Sequence, residues 1–131
     1  MNAVIWIALG GAFGSVARYF ISMHVDRFFT SGFPWGTMVC NVVGCVVIGF
    51  LAEILVDDKR MWLSPEARQG IMVGVLGGFT TFSTFGLQTY AMVDSESAWG
   101  WASMNVGLSV VLCLFGVWLG AFLGSLARSG A

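Results

Sequence analysis

Four long apolar stretches divide this sequence, and each is long enough to cross a lipid bilayer. They run over about residues 3–23, 37–56, 67–93 and 98–126. A transmembrane helix needs about 20 consecutive, largely apolar residues. The bilayer interior offers no water to unpaired backbone groups, so such segments must be helical. The sequence therefore predicts an all-α membrane protein with four transmembrane helices.

The composition agrees with a protein embedded in lipid. Hydrophobic residues make up 57% of the 131 residues and charged residues 10%, with a mean hydropathy of +0.84. A soluble domain carries about 25% charged residues. We therefore expect a single transmembrane domain over residues 1–131. A net charge of -1 gives no indication of a nucleic-acid partner, and the scattered cysteines indicate packing rather than an enzyme.

The third stretch contains the most unusual segment, GGFTTFSTF at residues 77–85. Thr80 is the midpoint of 67–93, so the segment is expected near the bilayer midplane. Two glycines, Gly77 and Gly78, predict a broken helix there. A break at that depth requires partners for the freed backbone groups, and carbonyl oxygens suit a hard cation such as sodium. The alternative is a packing kink in which threonine hydroxyls bond back to their own helix.

The aromatic and hydroxyl residues of this segment suggest a path for an anion. If the helix resumes after the break, Phe82 and Phe85 share a face. The edge of an aromatic ring is electropositive. Ring edges, with hydroxyl donors such as those of Thr81 and Ser83, can line a path for a small anion without fixed positive charge. The alternative is that the rings are ordinary core residues.

Polar residues also lie within the second and fourth stretches, where they are costly in lipid. Asn41 is the strongly polar residue deep in the second stretch, and its amide could donate to an anion or bond to another helix. Asn105, Ser109 and Cys113 recur every four residues along one face of the fourth helix. Such a stripe lines a water-filled track or joins helices through hydrogen bonds.

Arg18 is the one charge inside the first stretch. At a rise of about 1.5 Å per residue it lies roughly 22 Å from Ala3, near the far interface. There the side chain can reach the headgroups by snorkelling. The functional alternative is an electropositive vestibule that draws anions toward a pore.

Two further features bear on the class of membrane protein. No span interior holds an acidic residue, which disfavours a small proton-coupled exporter. Small residues let helices approach closely and suggest that the chain packs against another copy of itself; the glycines at this spacing are Gly10 and Gly14 in the first stretch and Gly116, Gly120 and Gly124 in the fourth. A coupled exporter and a non-conducting structural subunit remain as alternatives to a channel.

Together these residues resemble the Fluc (CrcB) family of fluoride channels. The resemblance covers essentially the whole chain and rests on three motifs in the expected order: GGAFGSVAR ending at Arg18, WGTMVCNVVG around Asn41, and GGFTTFSTF. It implies four-helix subunits that pair as an antiparallel, dual-topology homodimer with two fluoride pores. The implied function is passive, fluoride-selective export across the cell inner membrane.

The resemblance also implies roles for individual residues. A structural sodium ion at the dimer centre would be held by the backbone carbonyls of Gly77 and Thr80. The implied pore residues are Phe82, Phe85, Asn41, Thr81, Ser83, Asn105 and Ser109, with Arg18 in the vestibule. Two positions depart from the family pattern: Cys113 replaces an expected hydroxyl, and Gln88 stands where several relatives carry glutamate.

Overall fold

The computed structural model describes residues 2–29, 31–55, 63–94 and 99–129. All regular secondary structure in these residues is helical, and the elements are α1 (Asn2–Phe28), α2 (Trp35–Leu55), α3 (Pro65–Gln69), a π-helical segment (Gly70–Val75), α4 (Leu76–Phe79), α5 (Phe82–Asp94) and α6 (Trp99–Ser129). By length and composition, four segments could cross a membrane; the third of them, Pro65–Asp94, is called the third span below. The prediction of an all-α protein with four spanning segments is therefore confirmed. The predicted ends at Val56 and Ala98 lie outside the described residues.

The first helix is longer than its apolar stretch. We expected a span ending at Met23 followed by a loop, whereas α1 continues to Phe28. The apolar stretch ends before the helix does, because the part of a helix outside the bilayer does not need apolar side chains. Between Met23 and Gly32 the sequence contains no glycine or proline that would end the helix. A ring nitrogen of His24 bonds to the Phe20 carbonyl one turn earlier, at 2.7 Å.

The end of α1 organises the start of α2. Asp26, which the sequence placed in a loop, accepts a hydrogen bond from the Gly36 N–H at 2.7 Å. This carboxylate satisfies one of the unpaired N–H groups at the start of α2, where negative charge is favourable. A Cβ on Gly36 would lie 2.6 Å from the Ser22 Cα, so α1 and α2 pack closely here.

Glycines bring the remaining helices together within the chain. On α2 and α6, a Cβ on Gly49 would overlap the Val117 carbonyl oxygen, and one on Gly120 would overlap the Val46 carbonyl oxygen. Between α1 and the third span, a Cβ on Gly14 would overlap the Val75 carbonyl oxygen. These glycine faces are occupied inside one chain, so they give no support to self-association, which stays a prediction.

Large apolar side chains cover the outside of the bundle. Examples are Val4 at 70% exposure and Leu114 at 69%. The core contains few buried apolar side chains, among them Met38, Leu76 and Phe79. A surface of this kind is stable in lipid or against another apolar surface, since in water it would be strongly unfavourable.

Candidate functional site: an uncharged groove at the 80–81 junction

Two non-helical residues, Thr80 and Thr81, separate α4 from α5, and we call them the 80–81 junction. Thr80 has an extended backbone, with φ -85° and ψ 154°. The glycines themselves are helical, since α4 runs from Leu76 to Phe79. The change of backbone direction therefore falls after the glycine pair rather than on it.

Packing explains one glycine of this pair. A Cβ on Gly78 would lie 2.6 Å from the Gly11 carbonyl oxygen of α1, whereas a Cβ on Gly77 would meet nothing within 4 Å. Gly78 thus permits close contact between α1 and the third span. Its low helix propensity, on which the sequence argument depended, is secondary to that contact.

Threonine hydroxyls stabilise both sides of the junction. The Thr80 N–H and hydroxyl both donate to the Leu76 carbonyl, each at 2.9 Å. The Thr81 hydroxyl accepts a hydrogen bond from the Thr84 N–H at 3.2 Å. This is the pattern of an N-cap, which satisfies one of the free N–H groups at the start of a helix. Local side chains thus end α4 and begin α5.

Asn41 holds the junction from the neighbouring helix. Its Nδ2 donates to the Thr81 carbonyl at 3.1 Å, and its Oδ1 accepts from the Thr81 N–H at 2.7 Å. In a continuous helix the Thr81 N–H would bond to the Gly77 carbonyl four residues earlier. Because Asn41 takes this donor, the Gly77 carbonyl oxygen loses its helical partner.

Arg18 reaches the same region from α1. Its Nε donates to the Gly78 carbonyl at 3.2 Å, and the Ser15 hydroxyl reaches the same oxygen at 3.5 Å. We expected Arg18 near the far end of its helix, but α1 continues ten residues beyond it to Phe28. A guanidinium therefore lies beside the last carbonyls of α4, where positive charge is favourable.

A groove of about 330 Å³ opens beside the junction. Its lining residues come from α2, the third span and α6: Asn41, Cys45, Thr80, Thr81, Phe82, Phe85, Ser109, Val110, Cys113 and Leu114. None of these carries a charge. The groove thus brings together five of the seven residues expected in the pore.

The two phenylalanines differ in burial although they are neighbours. Phe85 is 9% exposed and Phe82 is 82% exposed. Their ring centroids are 5.4 Å apart, with planes inclined at 43°. Phe85 is therefore part of the wall between helices, while Phe82 stands at the open side of the groove.

A chain of hydrogen bonds joins α6 to α5 next to the groove. The Ser109 hydroxyl donates to Asn105 Oδ1 at 3.4 Å, and Asn105 Nδ2 donates to the Thr89 hydroxyl at 2.8 Å. Thr89 in turn donates to the Phe85 carbonyl at 2.8 Å. Asn105 is only 1% exposed, so its amide positions other groups and does not line the groove.

Ser83 and Arg18 do not line the groove; Ser83 contacts the Thr81 hydroxyl at 3.3 Å. Thr89 was missed by our sequence analysis. Its position four residues after Phe85 and eight after Thr81 is the signal that would have found it, since this spacing places the three on one helix face.

These features define a class of protein: a multi-pass helical membrane protein with an uncharged groove between its spans, whose mostly apolar lining includes a few polar side chains. The profile of the family described as "CrcB-like protein, Camphor Resistance (CrcB)" matches residues 5–130. The chain therefore belongs to the CrcB family.

Several proteins named "Fluoride-specific ion channel FluC" are similar to this chain over most of their length. The one from Opitutus terrae is 49% identical over 120 residues, which cover 92% of this chain and 90% of that protein. The one from Rhodospirillum rubrum is 47% identical over 116 residues, covering 88% and 89%. The one from Geobacter sulfurreducens is 42% identical over 120 residues, covering 92% and 94%.

Proposed function

We propose that this protein is a fluoride-selective channel through which fluoride leaves the cell passively across the inner membrane. The observation that carries the proposal is the groove. It combines phenyl rings, hydroxyls and an amide, and none of its lining residues is charged. The identity of the ion comes from the names of the similar FluC proteins, and the groove is the feature through which the ion would pass.

The chemistry of the groove suits a small, strongly hydrated anion. Fluoride must exchange its water for other donors. The hydroxyls of Thr81 and Ser109 provide them when they rotate away from their acceptors in this structure, the Thr84 hydroxyl at 3.0 Å and Asn105 Oδ1 at 3.4 Å. The edges of Phe82 and Phe85 add positive electrostatic potential. Asn41 uses one Nδ2 hydrogen on Thr81, and an amide nitrogen has a second to donate. Without a fixed positive charge the ion is stabilised but not trapped.

Two residues expected in the pore are assigned a positioning role. Asn105 orients Ser109 through its Oδ1, and Ser83 contacts the Thr81 hydroxyl. Arg18 retains its proposed electrostatic role. Its guanidinium raises the potential at the junction and draws anions toward the groove.

A second copy of the chain would complete the path. With Phe82 82% exposed, one wall of the groove is missing in a single chain. We propose an antiparallel, dual-topology homodimer in which the partner supplies that wall, giving two pores. The glycine faces do not support this step, because they pack within the chain; the open side of the groove does.

The junction also supports a sodium site where the third span is broken, near the bilayer midplane. The Gly77 carbonyl lacks its helical partner because the Thr81 N–H donates to Asn41, and the extended backbone of Thr80 turns its carbonyl out of the helical pattern. Such oxygens fit a hard cation. Two carbonyl oxygens per chain are few ligands for a cation, so the same two carbonyls of the partner copy would complete the site.

Sodium would act structurally, by joining the two broken helices at the symmetry axis. Among the described residues no group of three or more histidine, cysteine, aspartate or glutamate side chains could hold a metal. Carbonyl ligands are therefore the ones on which the proposed site depends.

The alternatives to a channel predict different transport. A proton-coupled exporter needs an acidic group on the ion path, and the groove lining contains none. A structural subunit needs no groove. Liposomes holding only this protein and loaded with potassium fluoride should release fluoride to an electrode when a potassium ionophore balances the charge. Absence of release, or a strict need for a proton gradient, would contradict the channel.

Replacing Phe82 with isoleucine should slow this release at least about tenfold, which corresponds to about 1.4 kcal/mol of lost ion stabilisation. Isoleucine keeps an apolar side chain but removes the ring edge. The matched control is Phe115→Ile, a 52% exposed ring on α6 outside the groove. Equal rates in the two variants would show that Phe82 does not contact the ion.

Replacing sodium with the larger cation N-methylglucamine at constant ionic strength should lower both the fraction of dimer and the unfolding temperature. A ligand present at about 100 times its Kd stabilises the bound state by about 2.7 kcal/mol. Size-exclusion chromatography and thermal unfolding measure the two effects. A dimer indifferent to sodium would exclude the proposed site while leaving fluoride conduction open.

A further inference from the structure

Two cysteines on neighbouring helices line the same groove. They are Cys45 on α2 and Cys113 on α6. Both are half-buried and free. The α2 and α6 backbones are close at this level, since a Cβ on Gly116 would lie 3.4 Å from the Cys45 Cβ.

The third cysteine has a different environment. Cys40 is fully buried, and its sulfur contacts the Ser22 hydroxyl at 3.5 Å and the Arg18 carbonyl at 3.9 Å. It lies outside the groove lining. The chain therefore contains one accessible pair of thiols and one enclosed thiol that serves as an internal control.

We propose that Cys45 and Cys113 form a two-thiolate binding site for a soft d¹⁰ cation such as Hg²⁺. Thiolates select soft metals, and these cations accept two sulfur ligands in a nearly linear arrangement. A tetrahedral zinc site requires more ligands, and the described residues offer no group of three. A bound ion would also obstruct the groove, since both cysteines are part of its lining; this second consequence rests on the proposed function.

The binding step involves no redox change. Each thiol loses its proton to the buffer, each sulfur forms one bond to Hg²⁺, and the ion gives up its two exchangeable ligands. Two protons are therefore released per ion bound.

The binding test uses the whole protein in detergent, reduced, loaded with Hg²⁺ and passed through excess glutathione, a monothiol that removes singly bound metal. Intact mass should show one mercury replacing two protons in the wild type and in Cys40→Ser. Cys45→Ser and Cys113→Ser should each lose the mercury. Retention in either of these variants, or loss in Cys40→Ser, would overturn the site.

Fluoride release from liposomes tests the second consequence, with each variant compared with its own untreated rate. After treatment with Hg²⁺ and a wash with excess glutathione, release should be at least about tenfold slower in the wild type and in Cys40→Ser, and dithiothreitol should restore it. Release from Cys45→Ser and Cys113→Ser should be unaffected. If the untreated wild type released no fluoride, that result would contradict the proposed channel function but not the mercury site. If mercury bridged the two thiols but fluoride release were not slowed, the proposed obstruction of the groove would be contradicted.

Discussion

Replacing Asn41 with leucine should destabilise the protein and abolish most fluoride release. Leucine has a similar volume but leaves the Thr81 N–H and carbonyl without the partners seen at 2.7 and 3.1 Å. A buried polar group that loses its partner costs about 1–3 kcal/mol. Since the junction is only part-buried, we expect a loss of about 2 kcal/mol in the free energy of unfolding.

Transport should respond more strongly than stability. With Asn41 absent, no side chain of α2 holds the Thr81 backbone, so the junction can shift and displace both Phe82 and the Gly77 carbonyl. Release should fall at least about tenfold, the equivalent of about 1.4 kcal/mol. Thermal unfolding and fluoride release from liposomes measure the two effects separately.

The matched control for Asn41 is Thr37→Val. Thr37 is buried one turn earlier on α2, and valine replaces its hydroxyl at nearly constant volume without touching the junction. We expect near-normal release. Wild-type stability and release in Asn41→Leu would show that Asn41 does not hold the junction.

Replacing Gly120 with alanine should cause the largest loss of stability. The new Cβ would overlap the Val46 carbonyl oxygen and lie 2.9 Å from the Phe50 nitrogen. Because both contacts are with backbone, no change of rotamer relieves them, and α2 and α6 must separate. Overpacking costs about 1–3 kcal/mol and occasionally more, which exceeds the gain of about 1 kcal/mol that alanine brings to a helix.

Gly107→Ala on the same helix is the control, because a Cβ there would meet nothing within 4 Å. It should be neutral or slightly stabilising, since only the helix propensity changes. Monodispersity in detergent and the unfolding temperature distinguish the variants. If both behaved alike, the close contact between α2 and α6 would not limit stability.

Much of the fold could be predicted because its causes are local. Hydrophobic length alone predicts the spans, and the unusual polarity of GGFTTFSTF located the junction to within a few residues. Asn41 attracted attention because an amide deep in an apolar helix is costly. In each case the cause is the preference of a residue type for lipid or for a helix.

The errors concern contacts between distant residues. Glycine spacing predicted close helix packing but not its partner, which proved to be α2 for Gly120. Thr89 was overlooked because a threonine on an amphipathic helix is unremarkable until Asn105 is found against it. A periodic sequence pattern indicates which face of a helix is polar or closely packed, but it does not indicate which other helix contacts that face.

By itself, the sequence determined four spanning helices, a disturbance in the third, and an uncharged set of polar residues within apolar segments. Only the tertiary structure decided that Asn41 pairs with the Thr81 backbone, that Arg18 reaches the Gly78 carbonyl, and that two cysteines share the groove. The physical reason is that helix formation and partition into lipid depend on neighbouring residues, whereas these contacts depend on how whole helices pack.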